Sequence, residues 1–316
     1  MIDYPPEPNR IDDLPAIHTL FTQPVAGLQH KLNERVTSWW ARRLEQICGR
    51  HPETGDSARL QSLKGRGAMA WLRPAPYSKE VTLTPSEFTF NVHLALCRRN
   101  PDQSRPWPSR CPLCPSQCDP SGDHFLKCKS SSQRTQRHDA LIGTFYRIGR
   151  EAKANVKKEQ LVRNYDHFLD VTVTHPLHRD DPGRADNCLN RTAGRALRMA
   201  EDDKYRKYGA IADQTPLHFT PLACESLGRW SPATEEFLHK LARGVRAAHY
   251  KDDPQMTVGH IVNRWWAMLS VSLARHNARM VFARTNPDKK TDVTRPSPAD
   301  KSGAGALSTT TKRDDT

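Results

Sequence analysis

Four cysteines and a histidine fall within residues 111–128, and no other stretch restricts the fold of this chain as tightly. Cys111 and Cys114 are separated by two residues, His124 follows nine residues later and Cys128 three beyond that, with Cys118 inside the loop. Zinc takes four soft or borderline ligands at the corners of a tetrahedron, and a CxxC knuckle facing an HxxxC pair supplies them through two short chelate loops. Pro120 and Gly122 furnish the turn between the halves. Reduced free thiols and a disulfide are the competing readings. In a reducing compartment, clustered thiols are more often metal ligands than disulfides, so the spacing favours zinc on Cys111, Cys114, His124 and Cys128. Four protein ligands leave no open coordination position, which makes this a structural zinc and not a catalytic one. Cys48, Cys97, Cys188 and Cys224 lie in apolar contexts and read as small buried hydrophobes.

Charge points to the partner. The 316 residues carry 48 Lys+Arg against 35 Asp+Glu, a net charge of +13, and polyanions such as nucleic acid are the commonest partners of so basic a chain. The excess is concentrated: residues 98–163 hold 14 basic and 6 acidic side chains, together with the four clustered cysteines. Lys127, Lys129, Arg134, Arg137 and His138 surround the cysteine block and are the candidate phosphate contacts; a solvated basic loop is the alternative. No apolar run approaches the roughly 18 residues of a membrane span, and residues 1–10 lack the basic-then-apolar order of a signal peptide. A soluble, intracellular protein is expected, in the nucleus or cytoplasm, with DNA as partner and no membrane contact.

Periodicity divides the chain. Residues 1–105 read as a helical segment, with apolar positions at steps of three and four from Leu28 through Trp39, Trp40 and Ile47, and a second helix after Thr84 or Ser86. The zinc motif takes 106–135. Residues 136–255 alternate helix and strand, with a helix from Asp139 to Ala154 that Asp139 caps, His138 standing near the zinc, and strands near Phe168 to Thr174 and Leu217 to Ser226, which predicts a small α/β domain with flanking helices. A long amphipathic helix over 256–286 repeats the tandem tryptophan as Trp265 and Trp266; both pairs read as core packing. Residues 287–316 hold 6 basic and 5 acidic side chains and no aromatic, which predicts a disordered tail. His175, His178, Asp180 and Asp181 read as a polar loop, not a second metal site.

The order Asp119, Gly122, Asp123, His124, Leu126, Cys128, followed by Arg137 through Leu141, by Leu169 to Val173 and by Pro221 to Trp230, resembles the C-terminal part of non-LTR retrotransposon polyproteins. There a CCHC zinc motif precedes an RHDAL-type helix and a restriction-like endonuclease domain of the PD-(D/E)xK type. The run from Leu60 to Leu72, with Gly65, Gly67, Ala68 and Trp71, is similar to the family's link between reverse transcriptase and zinc motif. The resemblance covers about residues 58–245. It implies a restriction-endonuclease-like mixed sheet and a nuclease that nicks target DNA with Mg²⁺ or Mn²⁺.

The catalytic inventory departs from that pattern. Metal-assisted phosphodiester hydrolysis needs two or more carboxylates converging on the ion, with a lysine to position water or offset developing charge. Asp170 fits the second carboxylate of the family's centre, but the Pro-Asp segment that supplies the first is missing. Asp166 stands four residues earlier, about 13 Å along an extended strand. Glu159 is the better substitute, Glu225 a further candidate acid, and Lys204 or Lys207 the lysine that the family draws from the following helix. A solvated helix face and an ion-pairing role are the bland readings of Lys204, Lys207 and Glu225; Asp170 in an apolar strand is harder to dismiss, because a buried unpaired carboxylate is costly. The expectation is a nucleic-acid-binding protein derived from such an element, its cleavage centre impaired. An active endonuclease and a host interaction protein reusing the zinc module are the alternatives.

Overall fold

A computed structural model describes residues 28–49, 55–74, 78–96, 108–119, 122–130, 132–154, 167–177, 192–214 and 218–285. The expected tail over 287–316, together with Cys97, Cys188, His178, Asp180, Asp181, Glu159 and Asp166, lies outside them. The chain divides into two units, residues 1–57 and 58–316. In the first, helix α1 (Leu28–Gly49) confirms the periodicity. Its Trp39 and Trp40 rings meet edge to face at 4.8 Å, but Trp40 is 55% exposed and Leu44 and Ile47 are exposed with it, so the core-packing expectation fails for Trp40. Cys48, expected to be buried, is only partly so.

Helix α2 (Asp56–Leu63) leads into the second unit. Two 3-10 turns follow, Ala70–Leu72 and Lys79–Val81, and then α3 (Pro85–Ala95). Thr84, not Ser86, caps α3: its hydroxyl accepts from Glu87 N while the Glu87 carboxylate accepts from Thr84 N, a complete capping box. Helix α4 (Asp123–Lys127) lies in the cysteine block. Helix α5 (Gln133–Glu151) starts six residues before the expected Asp139. Then come β1 (His167–Thr174), α6 (Arg195–Asp213), β2 (His218–Glu225), α7 (Pro232–His249) and α8 (Val258–Thr285).

Of the mixed sheet expected, the described residues hold two strands. They are parallel, with Asp170 opposite Pro221 and Thr174 opposite Glu225. Parallel neighbours need a crossover, and α6 supplies it. The period of two along β1 sorts the faces: Leu169, Val171 and Val173 join Leu222 and Cys224 in the main core, whereas Asp170 points to α6. Cys224 is fully buried, as its apolar context suggested, and burial pushes its thiol up to about 12.

The core is organised by α8, which is buried along most of its length, with Trp265 and Trp266 only 1% and 3% exposed. A helix apolar around much of its circumference belongs at the centre of a domain. Ser270 ties it to the segment before α3, accepting from Trp71 N and donating to Ala68 O. After β2 the chain turns back so that Trp230 pairs antiparallel with Cys224. Gly228 makes this turn at φ 110°, and a Cβ there would stand 2.8 Å from Ala68 Cα. Backbone meets backbone at that point, and any side chain would part them.

Candidate functional site

The cysteine block is built by two local devices. A tight turn, closed by Cys111 N to Ser116 O at 3.0 Å and Cys118 N to Ser109 O at 2.9 Å, presents Cys111 and Cys114. Asp119 then accepts from Asp123 N at 2.9 Å and His124 N at 2.7 Å, starting α4 after Gly122, whose φ of 77° is the left-handed conformation glycine favours. This sets His124 in the first turn of α4 and Cys128 just past its end.

The four expected ligands converge. Their ligating atoms all lie within 4.8 Å of one another, so the cluster can hold a metal ion. Cys111 Sγ to Cys128 Sγ is 3.8 Å, Cys114 Sγ to Cys128 Sγ is 3.8 Å, and Cys114 Sγ to His124 Nε2 is 3.2 Å. A zinc ion with bonds of about 2.3 Å to sulfur in a regular tetrahedron separates two sulfurs by about 3.8 Å. Cys118 stays out of the cluster, packed beside Phe90, Phe125 and Leu126, and burial raises its thiol to about 11.

The short helix that carries His124 is held by buried groups from α3, α5, α8 and the turn after β2. Phe125 and Leu126 are 0% and 1% exposed and pack on Phe90, Leu227, Ala278 and Val281. Their carbonyls, orphaned at the end of a five-residue helix, accept from buried arginines: Phe125 O from Arg284 at 2.5 Å, and Leu126 O from Arg137 at 3.2 Å. Arg137 also donates to Asn277 Oδ1 at 2.8 Å. Expected on a phosphate-contacting surface, Arg137 is 3% exposed, and burial draws its guanidinium down to about 10, still a cation at neutral pH. The signal was present: Arg137 shares the helical stripe of Leu141, Thr144 and Ile148, all buried.

His138 was expected beside a cap made by Asp139. Both residues instead lie inside α5, where His138 Nδ1 meets Asp139 Oδ1 at 3.0 Å, because the helix begins at Gln133. Lys129 is exposed, and Lys127 and Arg134 are half-buried.

For His175 the polar-loop reading fails. It is 4% exposed, with Nδ1 2.5 Å from Ser226 Oγ and Nε2 3.4 Å from Asp123 Oδ1. Asp123 in turn pairs with Arg59, itself 1% exposed. Burial pushes the Asp123 carboxyl up, but the hydrogen bond from His175 and the charge of Arg59 outweigh it and hold it below its ordinary value. Burial holds the His175 imidazole below its own, against the pull of Asp123. The aspartate beside ligand His124 is thereby tied to the turn that follows β2. Nothing local in the sequence around Arg59 or His175 marks them as partners.

The strand-borne residues divide. Asp170 and Lys204 meet, with Nζ 2.5 Å from Oδ2. Lys207 is exposed and lies over the Tyr208 ring at 4.8 Å, the same ring that Lys204 faces at 5.7 Å. Glu225 does not converge on Asp170. It pairs in register with Thr174, four positions along, and four strand residues span about 13 Å. It is 2% exposed, set in the turn beside Arg229, and burial raises its carboxyl above the ordinary 4.5, against the pull of the charge of Arg229. A carboxyl raised in the folded state adds stability below its unfolded pKa and loses that contribution as pH rises through the folded one. Glu225→Gln is therefore expected to raise the thermal midpoint at pH 7, with the gap closing as pH falls below 4.5. Melting curves at both ends of that range check it; a variant less stable at pH 7 sinks it.

Among the described residues, the cysteine–histidine cluster is the one group of three or more His, Cys, Asp or Glu side chains placed to share an ion. No described helix is long and apolar enough to cross a membrane. No family model, no curated protein and no solved structure matches this chain.

Proposed function

We propose that this chain is a zinc-stabilised nucleic-acid-binding protein derived from the C-terminal region of a non-LTR retrotransposon, working on DNA in the nucleus, with a restriction-like endonuclease domain whose cleavage centre is impaired. The observation that carries the reading is the convergence of the ligating atoms of Cys111, Cys114, His124 and Cys128 to within 4.8 Å of one another in a strongly basic chain. In this reading zinc holds the module together electrostatically and supplies no open coordination position. Lys129 and, beside it, Lys127 and Arg134 then contact phosphates.

Impairment follows from charge arithmetic at Asp170. One carboxylate neutralised by Lys204 offers a divalent ion far less than the two or more that phosphodiester hydrolysis uses. The same pair favours the second reading, an active endonuclease, since a carboxylate and a lysine in contact are two of the parts such a centre needs. Glu159 would then have to supply the missing acid.

Two assays on the purified chain decide. Fluorescence anisotropy with a labelled DNA duplex is expected to show binding that weakens steeply with salt. Supercoiled-plasmid nicking with Mg²⁺ or Mn²⁺, beside Asp170→Ala and an EDTA control, is expected to show no metal-dependent product. Nicking that vanishes in Asp170→Ala would establish the endonuclease instead. Absence of any DNA affinity would leave the host interaction protein.

A further inference from the structure

We propose that a second phosphate-binding track, separate from the zinc-module side chains, crosses the surface on both sides of Arg264 and takes the backbone of a nucleic-acid strand. This rests on the nucleic-acid-binding reading above and says where, beyond the zinc module, the strand is held.

Two hollows share Arg264 as a border. One, of about 660 Å³, is rimmed by Lys64, Arg66 and Arg73; the other, of about 500 Å³, by Arg147 and Arg150. All six cationic side chains are exposed. Among the described residues only two carboxylates line the same surface, Glu80 and Glu151, and each faces an arginine across it: Arg147 at 3.3 Å and Arg264 at 3.0 Å. Arg66 has a third such pair with Glu235 at 3.1 Å. Exposed pairs of this kind contribute about 0–1 kcal/mol, so these arginines can exchange a carboxylate for a phosphate at little cost.

The distribution selects a strand over a free anion. A single phosphate is held by donors converging on one point, whereas these cations are strung along a surface whose floor is apolar, from Ala70 and Ala267 in one hollow to Met268 and Val81 in the other. Half of the rim is carried by helices. Arg264 stands on α8, and Arg147 and Arg150 stand one turn apart on α5. Gly67 lies flat on Trp266, where a Cβ would come within 2.6 Å of the ring. A row of cations beside an apolar floor suits a repeating backbone with its charges on one side, and such contacts position a strand without reading its sequence.

The track is independent of the zinc module. The module packs on α8 at Ala278 and Val281, and at 1.5 Å per residue Arg264 lies roughly 25 Å from Val281 along the helix axis. Changes at sites so far apart add.

The test uses the full zinc-loaded chain and fluorescence anisotropy over a salt series, with a labelled oligonucleotide of about 20 nucleotides, single-stranded and as its duplex. Arg73→Gln with Arg150→Gln removes two exposed charges from the track, and Lys129→Gln with Arg134→Gln removes two from the zinc module. The track variant is expected to keep the wild-type thermal midpoint, bind several-fold more weakly, and flatten the slope of log K against log salt by about 1.4 on the single strand and about 1.8 on the duplex. Combining both pairs should sum their effects. A wild-type chain that binds, with a track variant of unchanged affinity and slope, overturns the track and leaves the nucleic-acid reading standing. A wild-type chain that binds no nucleic acid overturns both. A track variant that loses poly-glutamate binding yet keeps strand binding would make this an acidic-peptide surface, and the proposal would be wrong.

Discussion

Zinc chelation is expected to unfold the module over residues 108–130 and to release close to one metal equivalent per chain. Zinc bound by small structural modules contributes roughly 10–16 kcal/mol at neutral pH, as large as the whole stability of a typical domain, about 5–15 kcal/mol. Little else spans the cluster. Outside the ligands the module's local structure rests on two turn hydrogen bonds, the Asp119 cap and the five-residue helix. Phe125 and Leu126 hold that helix to α8, so the damage should spread into the core formed with Ala278 and Val281. Elemental analysis of the purified protein, circular dichroism melting with and without chelator, and the same melts on Cys114→Ser check the expectation. Identical melting of the metal-loaded and stripped protein would rule out a structural metal here.

Asp123→Ala is expected to cost about 3–5 kcal/mol, the usual penalty for taking one partner from a buried ion pair. Arg59 is 1% exposed, and its guanidinium would stay in the interior with its carboxylate gone. His175 would lose the same carboxylate, leaving only Ser226 on its other nitrogen. The rescue experiment separates charge from packing. Replacing a buried pair by apolar groups is often neutral or stabilising, so Arg59→Met together with Asp123→Ala should recover most of the loss. Urea denaturation of both variants, with metal content measured alongside, provides the check. A double variant no more stable than Asp123→Ala would mean that the loss comes from disturbing His124, next in the chain, and not from the stranded charge.

What was legible in the sequence was what short range decides. The helix periodicities, the strand at Val171, the cap at Thr84 and the spacing of the four ligands are encoded within one or two turns of chain, and each appears in the structure within a few residues. The start of α5 was misjudged because Ser132 makes no side-chain cap that would mark it. Arg137 was misassigned because a basic residue in a basic stretch looks like surface. Its burial is dictated by two acceptors, Leu126 O and Asn277 Oδ1, one of them 140 positions away.

By itself, then, the sequence determined the local elements, the four residues that can share a metal ion and the basic balance, since each depends on residue type and spacing alone. Only the tertiary structure decided which charged side chains are interior and which face solvent. It sent Arg59 and His175 inward to Asp123, Glu225 to Arg229 and Arg137 to the orphaned carbonyl of Leu126, and it brought Lys204 on the crossover helix to Asp170. It also left Arg73, Arg150 and Arg264 along one grooved surface. The physical reason is that a buried charge is tolerated only where a partner arrives, and partners such as Asp123 for Arg59, 64 positions away, and Asn277 for Arg137, 140 positions away, are chosen by tertiary packing and not by neighbouring sequence.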